Sequence, residues 1–155
     1  MIIQTPTKFF LVTGASEGFS KLNSFDCALL DSGIGNTNIL KMSSILPPKC
    51  KRIEPLRLPY GCLVPAAYAS ITSDQPGEII SAAIAVAIPE RDDYPGLIME
   101  YSSRGKKENV ENIVRKMAEE GMKVRNENIK DILIKSIEFN IKHIGTAFAA
   151  VVLWD

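Results

Sequence analysis

The chain has 155 residues, of which 46% are apolar and 23% are charged, a balance typical of one globular domain with a substantial core. Its 18 basic and 18 acidic residues give a net charge of zero, which argues against a nucleic-acid or membrane-surface role because both usually need a basic excess. No apolar run reaches the roughly 20 residues that cross a bilayer, and the N-terminus lacks the pattern of a signal peptide. We therefore expect a single cytoplasmic domain without nucleic-acid or membrane partners.

The first part of the chain is predicted to form strands separated by glycine turns. Residues 9–13 predict a strand that enters a glycine-bearing loop at 14–18. The apolar run at 25–30 predicts a second strand, which carries Asp26. Two glycines then predict a turn at 33–35.

The middle of the chain is predicted to be rich in strands as well. A short extended segment at 39–42 ends at a pair of serines, Ser43 and Ser44. The double proline at 47–48 excludes a helix there, and 49–59 is predicted as a surface loop. Four later strands are predicted, at 62–72, 78–88, 96–101 and 147–154.

Two amphipathic helices are predicted in the last third of the chain. The first lies between Gly105 and Gly121, because apolar residues recur there at the spacing of one helix face. The second is predicted over 126–143 and carries the single histidine, His143. Its inward residues are predicted to be Ile129, Ile132, Leu133, Ile137 and Ile141. Strands that come first and helices that come late favour an α+β or layered sandwich architecture over regular βαβ winding.

One segment invites a different interpretation, a dinucleotide-binding loop. The letters LVTGASEGFS at 11–20 suggest a strand that delivers glycine backbone to a pyrophosphate, as in short-chain dehydrogenases. However, Ser20 stands where the last glycine of that pattern belongs, no tyrosine has a lysine four residues later, and 19–25 shows no helical periodicity. A plain tight turn is therefore the better interpretation of this segment.

Cysteine and histidine chemistry is weakly supported. Cys27, Cys50 and Cys62 form no close-spaced pair, so we interpret them as reduced structural thiols and expect no zinc site. A Ser-His-Asp triad built on His143 has little support.

Several blocks, taken in their order along the chain, carry a more specific signal. They are GASEG at 14–18, LNSFD at 22–26, GIGNTN at 33–38, SSILPP at 43–48, LVPAAY at 63–68, PGEIISAAI at 76–84, GLIMEY at 96–101 and AFAAVVLW at 147–154. Together they resemble the pyruvoyl-dependent arginine decarboxylases over nearly the whole chain. The pair Ser20-Lys21, where relatives have Thr-Pro, and Ser32, where they tend to have alanine, depart from the pattern. The resemblance implies a four-layer α/β/β/α sandwich and a homotrimer with sites between subunits.

The resemblance also implies that the chain makes its own cofactor. On composition alone the serine pair would be a solvated loop, but in this family the hydroxyl of Ser44 attacks the carbonyl of Ser43 and turns the peptide into an ester. Elimination and hydrolysis then leave a pyruvoyl group at position 44 and two fragments, 1–43 and 44–155. Glycine backbone at 33–35 and the amide of Asn38 are candidate donors to the oxyanion.

The implied reaction converts L-arginine to agmatine and CO₂ through a Schiff base on the pyruvoyl group, without pyridoxal phosphate or a metal. Glu100 is then the proton donor, and its apolar strand context favours the neutral acid, although a strand-end glutamate facing water is the plainer alternative. Asp26 is implied to bind the guanidinium, with an N-cap or structural ion pair as its alternative. The remaining pocket residues implied by the resemblance are Leu29, Gly35, Asn38 and Ser43.

Two other functions stay open at the level of sequence. The chain could decarboxylate another cationic amino acid, or it could be an uncleaved, non-catalytic trimer. The sequence also leaves open whether agmatine feeds polyamine biosynthesis or acid resistance.

Overall fold

The computed structural model describes residues 4–155, which form two stacked β-sheets with one helix on each outer face. In chain order the elements are β1 (Lys8–Glu17), α1 (Lys21–Ser32), β2 (Asn38–Lys41), β3 (Ile45–Leu46), β4 (Lys51–Arg52), β5 (Leu63–Ser73), β6 (Ile79–Pro89), β7 (Gly96–Arg104), α2 (Lys107–Val124), β8 (Ile129–Asn140) and β9 (Gly145–Trp154). Sheet A has the strand order β2-β5-β9-β1-β4, and sheet B has the order β3-β7-β6-β8. The predicted α/β/β/α sandwich is confirmed.

Three apolar layers hold the four structural layers together. Alternation along β1 shows how they are built: Phe9 and Leu11 pack between the two sheets, while Phe10 and Val12 pack beneath α1. The third layer fills the space between sheet B and α2. Strand β9 is buried on both faces, because it lies in the middle of sheet A between α1 and sheet B.

The predicted strand at 25–30 is wrong, because this run belongs to helix α1. Ser20 caps the helix by accepting a hydrogen bond from the backbone N–H of Asn23 at 3.1 Å, and Gly33 ends it in the left-handed region at a φ of 91°. The helical signal was present in the sequence, since Phe25, Ala28 and Leu29 fall on one face and pack onto sheet A. The statement that 19–25 lacks helical character is wrong for the same reason.

The predicted helix at 126–143 is also wrong, because most of it forms strand β8. Its isoleucines fit either period, and β-branched residues favour a strand once a sheet edge is available. Strand β6 offers that edge and pairs with β8 along its length. Leu133 and Ile137 face the layer between the sheets, and Ile132 and Ile134 face α2. His143 consequently lies exposed after β8 and not on a helix.

Two glycines have roles that differ from those predicted. Gly121 does not end α2 but lies inside it, where a Cβ would come within 2.2 Å of the Leu97 side chain. Gly14 does not begin a loop but lies within β1, where a Cβ would come within 2.2 Å of the Ala28 carbonyl oxygen. In both places a missing side chain lets a helix approach its sheet closely.

The predicted loop at 49–59 is correct apart from the two residues of β4.

Candidate active site

The serine pair lies where the chain crosses from one sheet to the other. Strand β2 is an edge of sheet A and β3 is an edge of sheet B, and Met42, Ser43 and Ser44 connect them. The N–H of Met42 donates to the carbonyl of Ala66 in β5 at 3.0 Å, while the N–H of Ile98 in β7 donates to the carbonyl of Ser44 at 2.7 Å. The backbone is thus held on both sides of Ser43, each side by a different sheet.

The two serines differ in exposure, which matters for their chemistry. Ser43 is exposed and Ser44 is half-buried. A half-buried hydroxyl on a residue whose backbone is fixed suits intramolecular attack on the preceding carbonyl, because fixed geometry removes much of the entropic cost of reaction.

Glu100 lies two residues beyond Ile98 along β7 and therefore on the same face of that strand, the face toward sheet A. Burial raises the pKa of the Glu100 carboxyl above its ordinary value, and the nearby Lys41 ammonium lowers it in part. The Glu100 side chain is 31% exposed. The structure therefore places Glu100 on the strand that holds Ser44, and burial there disfavours the charged form of its carboxyl.

Lys41 is a residue of this region that the sequence analysis did not single out. Its ammonium lies 3.8 Å from Oε1 of Glu100 and 4.7 Å from the centroid of the Tyr68 ring. One sequence signal could have found it: a lone cation in the otherwise uncharged segment 38–46, two residues before the serine pair. Strand β2 thus contributes a charged group to the site as well as the link itself.

An aromatic cluster connects this region to α1. The ring centroid of Tyr68 lies 6.3 Å from that of Phe25 in α1 and 5.4 Å from that of Phe148 in β9. Asp26 follows Phe25 on the helix and is exposed, and among residues 4–155 no hydrogen bond or ion pair of its carboxylate is recorded. Leu29 is 8% exposed and packs beneath α1, so within one chain its side chain belongs to the core.

Gly35 and Asn38 lie at the opposite end of β2 from the serine pair. Asn38 opens the strand, where its backbone N–H donates to the Cys62 carbonyl at 2.8 Å and its side-chain amide donates to the Gly61 carbonyl at 3.0 Å. Asn38 lies three residues before Lys41 in β2, which corresponds to about 10 Å along the strand. The link that contains Ser43 begins only after Lys41. Within one chain these two predicted residues are therefore not beside the bond between Ser43 and Ser44.

A cavity of about 460 Å³ lies at that far end of β2. Its polar lining includes Asn36, Thr37, Arg57 and Tyr60, and the guanidinium of Arg57 donates to the Tyr60 hydroxyl. The cavity lies beside Gly33 and Asn36, in the turn that carries Gly35 and leads to Asn38.

The cysteines do not add a nucleophile to the site. All three are free, and burial together with the Asp155 carboxylate raises the pKa of the Cys50 thiol to about 11. Within residues 4–155 no group of three or more histidine, cysteine, aspartate or glutamate side chains is arranged to hold a metal ion. Neither of the two helices described is long and apolar enough to cross a membrane.

A solved structure shares the architecture. A pyruvoyl-dependent histidine decarboxylase at pH 8 superposes with a TM-score of 0.50 over 59% of this chain, at 14% identity. This chain covers 50% of that protein, so the likeness concerns the fold alone. The four-layer sandwich of this chain thus has the fold of that pyruvoyl-dependent decarboxylase.

Sequence relatives narrow the class. The profile of a family described as pyruvoyl-dependent arginine decarboxylase matches residues 8–155. Relatives with the name pyruvoyl-dependent arginine decarboxylase include one from Methanocaldococcus jannaschii, 47% identical over 96% of this chain and 90% of the relative, and one from Pyrococcus horikoshii, 44% identical over 96% and 95%. The chain belongs to the pyruvoyl-dependent arginine decarboxylase family.

Proposed function

We propose that this protein is a self-processing carboxy-lyase that converts L-arginine to agmatine and CO₂. The observation that carries the proposal is the serine pair held between two sheets beside a carboxyl with a raised pKa, in a chain of this family. The proposed products of processing are fragments 1–43 and 44–155, and residues 1–3 of the first lie outside the described residues.

The first proposed step is attack by the hydroxyl oxygen of Ser44 on the carbonyl carbon of Ser43. The C–N bond breaks, an ester forms, and loss of the Cα proton of Ser44 then expels Ser43 as a free carboxylate. Water hydrolyses the dehydroalanine that remains, which releases ammonia and leaves a pyruvoyl group at the new N-terminus. The hydrogen bond from Ile98 to the Ser44 carbonyl supports this step, because it holds that residue in place.

The surroundings of Ser44 fit such a group. The residue is half-buried at a sheet edge, its carbonyl is fixed by β7, and Glu100 lies farther along the same strand. When present, the pyruvoyl ketone supplies the electron sink for loss of CO₂ from an amino acid. Glu100 would deliver a proton to the substrate carbon, a role that the upward direction of its pKa shift supports.

Substrate recognition is proposed to rest on Asp26. Its carboxylate is exposed and suits the planar, bidentate geometry of a guanidinium. Leu29, Gly35, Asn38 and Ser43 complete the proposed pocket, which also includes the oxyanion donors for processing.

The separation of Asn38 from the serine pair leads us to include a homotrimer in the proposal, with each site formed between neighbouring copies. A second copy would bring the far end of its β2 to the link of the first. The exposed apolar side chains of Leu40 and Leu63 along that edge of sheet A support an interface there. A groove of about 370 Å³ beside them is lined by Pro65 and Trp154 as well.

The proposed compartment is the cytoplasm. The three free cysteines support it, because reducing compartments keep thiols unpaired.

The proposal is tested by intact mass spectrometry and by release of CO₂ from labelled arginine. The wild-type chain should give two fragments and CO₂, whereas Ser44→Ala should give one intact chain and no CO₂, because the nucleophile is gone. Ser43→Ala is the matched control: it keeps the attacked carbonyl and should still be cleaved.

Three further measurements complete the test. Borohydride should abolish the activity, and added pyridoxal phosphate should leave it unchanged. Lysine and ornithine, offered in parallel, distinguish arginine from other cationic substrates. An intact wild-type chain that releases no CO₂ would contradict the proposal.

A further inference from the structure

Lys41 carries a charge that the proposed reaction does not use. Its ammonium sits between the Glu100 carboxylate, 3.8 Å away, and the Tyr68 ring, whose centroid is 4.7 Å away. A cation over an aromatic ring gains electrostatic attraction from the ring face. The lysine is therefore held by two partners, one from each sheet, although its own side chain is 58% exposed.

Lys41 and Glu100 lie on opposite sides of the serine pair in the sequence. Lys41 lies on the N-terminal side of the bond between Ser43 and Ser44, whereas Glu100 lies on the C-terminal side. Under the proposed function, the ion pair would join the two fragments across the cut.

We propose that Lys41 is a positioning residue that orients the Glu100 carboxyl and sets the pH range over which it can donate a proton. This inference rests on the proposed function for the role of Glu100. The lysine acts through the carboxyl and does not bind the substrate.

The other groups near Glu100 leave Lys41 as the charge that matters. The β5 side chains that face the layer between the sheets are the apolar ones of Ala67, Ala69 and Ile71, and the β6 residue paired with Glu100 is the apolar Ile84. Tyr68 packs on the α1 side of sheet A, where its ring contacts Lys41. Lys135 of β8 lies one strand farther, on the other side of Ile84, and Arg104 of β7 pairs with Glu78 instead. On its outer side β7 packs against α2 through apolar residues.

The direction of the effect follows from the two opposing influences on Glu100. Burial raises the pKa of its carboxyl, and the Lys41 ammonium lowers it. Removal of the lysine charge should therefore raise this pKa further, so that the protonated donor persists to higher pH. The alkaline limb of the kcat profile should move upward by about half a pH unit, a small shift because the pair is partly exposed to water.

The test compares Lys41→Met, Lys41→Arg and, as a matched control, Lys116→Met, which removes an exposed lysine from α2. Rates are normalised to the cleaved fraction seen by mass spectrometry, so an effect on processing is kept apart from an effect on turnover. Lys41→Met should lower kcat about five- to tenfold with KM within twofold of wild type, because the donor loses its alignment. Lys41→Arg and the control should stay within twofold of wild type.

A second readout does not depend on activity. In the uncleaved Ser44→Ala chain, the titration of Glu100 is followed by carbon-13 NMR of its carboxyl, with and without Lys41→Met. An upward shift of the Glu100 titration midpoint supports the proposal even if no decarboxylation is found, and an unchanged midpoint overturns it. A rise in KM at constant kcat would also overturn it, because the lysine would then bind the substrate. If Lys41→Met does not fold, Lys41→Gln replaces it in both measurements.

Discussion

At the scale of single residues, the burial of Glu100 that supports its proposed role has a cost in stability. Its pKa is raised in the folded chain by burial. For such a carboxyl, the folded state is favoured fully below the unfolded pKa, and stability is lost as the pH rises from there through the folded pKa. Glu100 is thus a weak point of the fold at the pH where the proposed acid would work.

Glu100→Gln separates these two properties. Self-cleavage should persist, whereas decarboxylation should fall at least about a hundredfold because the amide cannot donate as an acid. At neutral pH the variant should be slightly more stable, by less than about 1 kcal/mol, since the charge is gone but so is the pair with Lys41. Below about pH 4 the stability gain should vanish. Thermal unfolding across pH and CO₂ release check both halves, with Glu119→Gln on α2 as the control.

Full activity in Glu100→Gln would remove this residue from the proposed mechanism. A stability gain that persisted at low pH would instead show that burial of the charge is not its cause.

At the scale of elements, α1 carries two exposed aspartates that allow a matched comparison. Asp31 accepts a hydrogen bond from the N–H of Ala15 in β1 at 2.9 Å, whereas Asp26 has no such contact recorded within residues 4–155. Asp26→Ala should raise KM for arginine roughly ten- to a hundredfold and leave stability unchanged, because a charge-assisted contact to substrate is lost. Asp31→Ala should lower stability by about 1 kcal/mol and leave KM unchanged.

Steady-state kinetics and urea unfolding measure the two effects. Equal KM values for Asp26→Ala and wild type would point to a different group as the guanidinium partner.

The elements also show how far the sequence could predict this fold. The layered architecture and most strands were predictable, because runs of apolar residues bounded by turn residues indicate strands of a sheet. The strand prediction for 25–30 is wrong because a short apolar run fits a helix and a strand equally well; only the caps Ser20 and Gly33 distinguish the two. The stretch that became β8 was decided by the open edge of β6, which local pattern does not reveal.

For the candidate site, the sequence could indicate single residues but not the contacts between them. Family blocks pointed to Ser44 and Glu100, and the structure brings both to β7. The contact of Lys41 with Glu100 could not be predicted, because it depends on two strands from different sheets, 59 positions apart in the chain, meeting at their edges. The distance of Asn38 from the serine pair could not be predicted either, because it depends on the residues between them forming the extended strand β2.

At the scale of the whole molecule, two exposed leucines, on the edge strand β2 and on its neighbour β5, support the proposed trimer interface. Leu63 is 58% exposed, and Leu40 on the neighbouring strand is 44% exposed. Leu63→Asp should therefore dissociate the proposed trimer, because a carboxylate cannot be buried there without a partner. Light scattering coupled to size exclusion chromatography measures the change. Leu22→Asp, at a leucine of α1 that is 76% exposed, tests whether the effect is specific to this surface. A wild-type monomer would contradict the trimer.

The strand order of sheet A has one more consequence. Strands from before the serine pair are interspersed among strands from after it, since β2 borders β5 and β1 lies between β9 and β4. Such interleaving arises easily while one continuous polymer folds, whereas the two fragments of the proposed cleavage would have to associate before they could reach the same arrangement. Under the proposed function, cleavage should therefore come after folding, with the intact precursor as the template for its own assembly. Once denatured, the cleaved protein would lack the covalent connection that placed its strands.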